Sequence, residues 1–128
     1  MTRSVKFEVG QRWLYKTRAE DPKSTVVIGK VENTVEMGTV VHISVLDVNI
    51  RSPHEPNGFT HEVHHMPISP WALQVSVTER SGRGAPAAQF EEGYQIWRDA
   101  VAAGKAGVFS IPVHKAVGYF EDIINASQ

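Results

Sequence analysis

His61-Glu62-Val63-His64-His65 has the residue types and spacing of the zincin pattern H-E-x-x-H. In that chemistry two imidazoles one helical turn apart bind zinc, and the glutamate between them acts as general base on the metal-bound water. The geometry demands a helix of several turns. The local sequence opposes one: Asn57-Gly58 stands just upstream and Pro67 follows His65 by two residues, restricting Met66 and removing a backbone donor. The longer signature H-E-x-x-H-x-x-G-x-x-H is not met, because Ile68 and Trp71 occupy its last two positions. A third ligand from Glu91 or Glu92 is compatible with spacing alone. In an extended chain His61 and His65 would share a face while Glu62 pointed away with His64. A zinc hydrolase with His61 and His65 as ligands and Glu62 as base is therefore the alternative. The favoured reading is a polar segment that packs Val63 and Met66 and leaves its histidines in solvent.

Other candidate groups have similar rival readings. His54, His61, His64 and His65 all lie within residues 54–65 and could bind a divalent metal or sense pH. His42 sits inside an apolar run and reads as a hydrogen-bonded core or edge histidine; as a base it would need a partner that spacing does not name. Trp13, Tyr15, Tyr94 and Trp97 could line a ligand pocket, but at strand and helix spacing they read first as core. Ser81-Gly82-Arg83-Gly84 has the glycine and arginine of a phosphate loop without the Lys-Ser or Lys-Thr that should follow, and reads as a linker. No G-x-S-x-G nucleophile elbow is present.

Composition narrows the classes. At 128 residues, 41% hydrophobic and 21% charged, the chain has the size and character of one globular domain. Thirteen Lys and Arg balance fourteen Asp and Glu, which removes the electrostatic reason to expect nucleic acid or an anionic membrane as partner. The absence of cysteine rules out disulfides, thiolate metal sites and cysteine nucleophiles. The stretch Met1 to Glu8 lacks the apolar run of a signal peptide, no segment has the length of a membrane span, and a cytoplasmic location is expected.

The elements that must position these residues read as strands first and helices afterwards. Trp13 and Tyr15 alternate with Arg12, Leu14 and Lys16; Thr25 to Glu32 is rich in β-branched residues; and Thr39 to Ile50 is the strongest strand. Val41, Ile43 and Val45 share one parity, whereas Leu46, Val48 and Ile50 fall on the other, which predicts a bulge or bend near Leu46-Asp47. Ser69-Pro70 is a helix start. Residues 71–79 fit either helix or strand, with helix preferred for the cap, and residues 80–86 read as a flexible loop. Phe90, Tyr94, Trp97 and Val101 fall at i, i+4, i+7 and i+11 and predict an amphipathic helix ended by Gly104. Val108 to Ile111 could be a last strand, and Val113, Val117, Phe120 and Ile124 repeat the helical spacing. The expected fold is α+β: one domain over residues 1–128, with an antiparallel sheet of three to four strands from the amino-terminal half and two to three helices from the carboxy-terminal half covering one face.

Phe7-x-x-Gly10-x-x-Trp13-x-Tyr15, Val41-His42-Ile43-Ser44-Val45, His65-Met66-Pro67-Ile68-Ser69, Gly93-Tyr94-x-x-Trp97 and Ala106-Gly107-Val108-Phe109-Ser110 together resemble a family of small uncharacterised bacterial proteins. The resemblance implies no activity and no cofactor. It implies that His65 belongs to a strand-to-helix junction, with His61 and Glu62 incidental, and that His42 and His65 could meet on one face of the sheet. The leading expectation is a non-catalytic binding or interaction protein of the bacterial cytoplasm, with a protein partner. The zinc hydrolase and a small-ligand binder with a pocket lined by Trp13, Tyr15 and Trp97 are the rivals.

Overall fold

The computed structural model describes residues 5–126; Met1 to Ser4, the start of the stretch read for a signal peptide, lie outside them. Five strands form one antiparallel sheet in the order β4-β3-β2-β1-β5, with β1 Gln11–Tyr15, β2 Thr25–Thr34, β3 Gly38–Arg51, β4 Phe59–Ile68 and β5 Val77–Arg83. Three helices, α1 Pro70–Ser76, α2 Phe90–Ala102 and α3 Val113–Ala126, complete it. The α+β class stands. The strand count is higher than expected, because two segments read as loops, the histidine-rich stretch and residues 80–83, join opposite edges of the sheet.

The ambiguous stretch 71–79 divides between the two structures it fits. Ser69 caps α1 through its side chain, which accepts from the Ala72 N–H, and Pro70 fills the first turn. Ser76 ends the helix: its hydroxyl donates to the Ala72 carbonyl at 2.7 Å and accepts from the Val113 N–H at 2.9 Å. The β-branched Val77 and Thr78 then continue as β5. The segment Val108 to Ile111 contributes only a parallel bridge from Phe109 to Ile68.

Helices cover both faces of the sheet, not one. Alternation along β3 sends Val41, Ile43 and Val45 to one side, where they pack with Trp13, Tyr15, Leu73, Ala116 and Val117 from β1, α1 and α3. Val40 faces the other way and packs with Phe90, Tyr94 and Trp97 of α2. A long strand buried on both faces reads as a near-continuous apolar run, which is why Thr39 to Ile50 stands out in the sequence.

Three bulges reset which face each residue meets. At Leu46-Asp47 the β3 register shifts, Asp47 adopts φ 54°, and Val48 and Ile50 rejoin the cluster of Val41, Ile43 and Val45, as the parity change in the sequence requires. At Gly29 the pairing passes from Ile28↔Ile43 to Lys30↔His42, so Lys30 and Glu32 turn to the α2 side. In β4 the pairing passes from Met66↔Ile43 to Val63↔Val45, so His64 and His65 lie together opposite Ser44.

Candidate functional site

The second and third bulges, with α2, assemble a polar group within an otherwise apolar layer. Position 29 carries no side chain because the Phe90 ring occupies the place a Cβ would take, and a Cβ on Gly93 would stand 2.8 Å from the Cβ of His65. These two close approaches seat α2 directly on the sheet. His42, fully buried on β3, then lies edge-on to Tyr94 and Trp97, with ring centroids 5.0 Å and 4.7 Å away. The Trp97 indole N–H is satisfied by the Gly107 carbonyl at 2.9 Å.

Both nitrogens of His42 are bonded. Its Nε2 is 2.8 Å from Glu32 Oε1 and its Nδ1 is 2.8 Å from His65 Nε2. The Tyr94 hydroxyl donates to the same Glu32 carboxylate at 3.1 Å and 3.3 Å, and the Lys30 ammonium lies 4.7 Å from the centre of the Tyr94 ring. Burial, and then the bond to Glu32, raise the Tyr94 hydroxyl above its ordinary value, so it keeps its proton.

The chain of partners fixes where every other proton sits. A carboxylate can only accept, so His42 donates from Nε2 to Glu32. Burial pushes His42 down against the pull of Glu32, and a neutral ring with Nε2–H has a bare Nδ1. His65 must therefore donate from its own Nε2, which leaves His65 Nδ1 as an unprotonated acceptor. Burial, followed by the neighbouring His42, lowers the His65 imidazole to about 4, so it is neutral at pH 7. Among the described residues His65 Nδ1 has no bonding partner. Among the described residues the one buried, unpartnered side-chain nitrogen or oxygen is His114 Nδ1, so His65 Nδ1 is not sealed from solvent.

His65 lines a cleft of about 370 Å³ that crosses the outer edge of β4. Gly93 and Ile96 of α2 flank it on one side of the sheet; Ile50, Phe120 and Ile124 flank it on the other; Glu55, Glu62 and His64 also line it. The shallow grooves around His61, each above 700 Å³, are both lined with Asp47; one adjoins the cleft and shares Glu55, Thr60 and Glu62 with it, and the other shares none of its residues.

The candidates read from the sequence fall into three places. His61-Glu62-x-x-His65 is part of an extended strand, so its two histidines are separated by about 13 Å along the chain in place of the roughly 6 Å of a helical turn. The bulge at His64-His65 turns His65 to α2, which corrects the expectation that an extended segment would put both on one face. His61 bonds the Val48 carbonyl at 3.0 Å and stacks on Phe59, while Glu62 pairs with His64 at 3.8 Å, both about half exposed. The zincin arrangement of His61, His65 and Glu62 is not formed. Among the described residues no three metal-ligating side chains converge.

Trp13, Tyr15 and Trp97 do not line a common pocket. Trp13 and Tyr15 are core on the α1/α3 side and Trp97 is core under α2. Trp13 donates to Gln11 at 3.0 Å. Tyr15 donates to Ser24 at 2.8 Å, and burial pushes its hydroxyl up to about 12. His42 and His65, by contrast, are in direct contact. Sequence reasoning missed Glu32 and the polar role of Tyr94. The signal for Glu32 was Gly29: an isolated glycine inside a strand marks a bulge, and a bulge there moves Glu32 from the face of Ile28 to that of His42.

No helix among the described residues is long and apolar enough to cross a membrane. Compared with family models, curated proteins and solved structures, the chain matches none.

Proposed function

We propose that this chain is a small, non-catalytic binding protein of the cytoplasm, and that its ligand is held in the cleft at His65. One observation carries the reading: the relay Glu32–His42–His65 leaves a neutral acceptor, His65 Nδ1, without a partner beside an open cleft. A buried polar network is costly unless every member is satisfied, and here its open end is the one that meets solvent. A ligand hydroxyl or N–H completes it.

The same relay could orient a general base, since a base held by a second group is the usual arrangement. The direction of the His65 shift favours binding. A general base works best with a pKa near the operating pH, whereas an imidazole lowered to about 4 is a weak base and a dependable uncharged acceptor. The flanks also suit binding, with apolar side chains of α2 and α3 on either side of one polar point.

Nitrogen-15 NMR of histidine-labelled protein tests the arrangement. Neutral His42 and His65 should both appear as the Nε2–H tautomer, and small hydrogen-bond donors in a fragment screen should move His65 Nδ1 and the amides of Gly93 and Ile96. Replacing His65 by Phe should abolish that response; because it also leaves buried His42 Nδ1 without its donor, the amide spectrum of the variant is recorded alongside to confirm that it is folded. A His65 protonated on Nδ1, or a screen in which only resonances remote from the cleft respond, would remove the reading.

A further inference from the structure

The chemistry of the cleft narrows its ligand, on the premise that the binding reading is correct. We propose that the cleft takes an organic ammonium ion, a primary or secondary amine attached to an apolar group. Three features of the lining lead there. The acceptor that His65 brings to the lining, Nδ1, has no proton to offer and requires a donor. The carboxylates in the lining are Glu55 and Glu62, half-exposed His64 stands beside Glu62, and neither lysine nor arginine lines the cleft. The remaining surface includes Ile96 on one side and Phe120 and Ile124 on the other, which suits a hydrocarbon body.

An ammonium satisfies all three at once. It donates one N–H to His65 and directs its charge to the carboxylates, and hydrogen bonds with an ionised partner are the stronger kind. Glu55 has no ion-pair partner among the described residues, and Glu62 has only the 3.8 Å contact with His64, so both carboxylates retain free oxygens. An anion of the same shape meets two like charges and an acceptor. A neutral alcohol satisfies His65 and the apolar flanks but leaves the carboxylates unused.

The experiment compares three probes of one shape, 2-phenylethylammonium, 2-phenylethanol and phenylacetate, by NMR titration at pH 7 and low salt. The ammonium should bind tightest, displacing the Gly93 and Ile96 amides and the His65 side chain, and should weaken as salt screens the carboxylates. In the double variant Glu55→Gln, Glu62→Gln its affinity should fall about tenfold, as two exposed ion pairs predict, while that of the alcohol stays unchanged. Both substitutions are at half-exposed or exposed positions and conserve shape, so the fold is retained. If the alcohol or phenylacetate binds the cleft as tightly as the ammonium, the ligand class is wrong and the binding reading survives. If the ammonium leaves the cleft resonances in place, or binds the double variant equally well, the class is also wrong. Whether the cleft binds anything is then decided by the broader fragment screen.

Discussion

Gly93 lies directly over His65, so that a methyl group placed on the glycine would stand 2.8 Å from the histidine Cβ. The contact is between two backbone-anchored atoms, and neither can rotate away. Gly93→Ala therefore sets two effects against each other. Alanine in a helix interior gains about 1 kcal/mol in propensity, while overpacking costs about 1–3 kcal/mol. The overlap should win, leaving the variant less stable in urea, with shifted His65 resonances as α2 lifts from β4. A variant more stable than the parent, with His65 unmoved, would show that α2 does not rest on this contact.

The relay predicts a pH dependence with a definite sign. His65 is lowered to about 4 in the folded protein, against about 6.5 in an unfolded chain. Between those values the unfolded chain binds more protons, so stability rises with pH through this window and levels off above it. Urea midpoints measured from pH 4 to pH 8 should follow this curve, and His65→Phe should reduce its slope. His42, also lowered by burial, contributes in the same direction. A His65 C2 proton that titrates near 6.5 in the native protein would contradict the model of a desolvated relay.

The sequence contained the elements more clearly than the contacts between them. Period-two alternation at Trp13 and Tyr15 and period 3.6 at Phe90, Tyr94 and Trp97 mark core faces because burial acts on every turn or pleat. The parity change at Leu46 marks a bulge for the same reason. The edge strands were less legible. Residues 59–68 and 77–83 carry His61, Glu62, His64, Glu79 and Arg80 because an edge strand is half in solvent and gains from charge that discourages further pairing. Their composition therefore resembles a loop. The relay was harder still, since it joins Glu32, His42, His65 and Tyr94 from four elements. Alternation along β3 already turns His42 toward α2, but only the register of two bulges, which depends on pairing between distant segments, turns Glu32 and His65 there as well.

A second charged group is structural, and its expected cost is larger. Arg18 donates to Asp21 at 2.6 Å, to Glu121 of α3 at 3.1 Å and to the Asn49 carbonyl at 3.0 Å, while fully buried Asp21 also accepts from the Asn49 N–H at 2.7 Å. Removing one partner of a buried pair leaves an uncompensated charge, so Arg18→Ala should cost about 3–5 kcal/mol in urea unfolding. The exposed pair Lys6–Glu8, at 3.9 Å, should be worth less than about 1 kcal/mol when broken by Lys6→Ala. Equal losses from the two variants would mean that Asp21 is reached by water and that Arg18 does not tie the β1–β2 loop to α3.

Asp47 isolates the backbone cost of the bulge that lets Val48 and Ile50 return to the core. Its side chain is exposed, so substitutions there change no buried packing, and its φ of 54° lies in the left-handed region. Glycine adopts that conformation freely, aspartate tolerates it, and a β-branched residue is strongly disfavoured. Asp47→Gly should therefore be close to neutral, with any gain in backbone strain set against glycine's greater freedom in the unfolded chain. Asp47→Val should lose about 1–2 kcal/mol although valine is the better strand former. Urea unfolding of the two variants measures the difference directly. If Asp47→Val matched the parent, residue 47 would be extended in solution, and Val48 and Ile50 could not share a face with Val45 by way of this bulge.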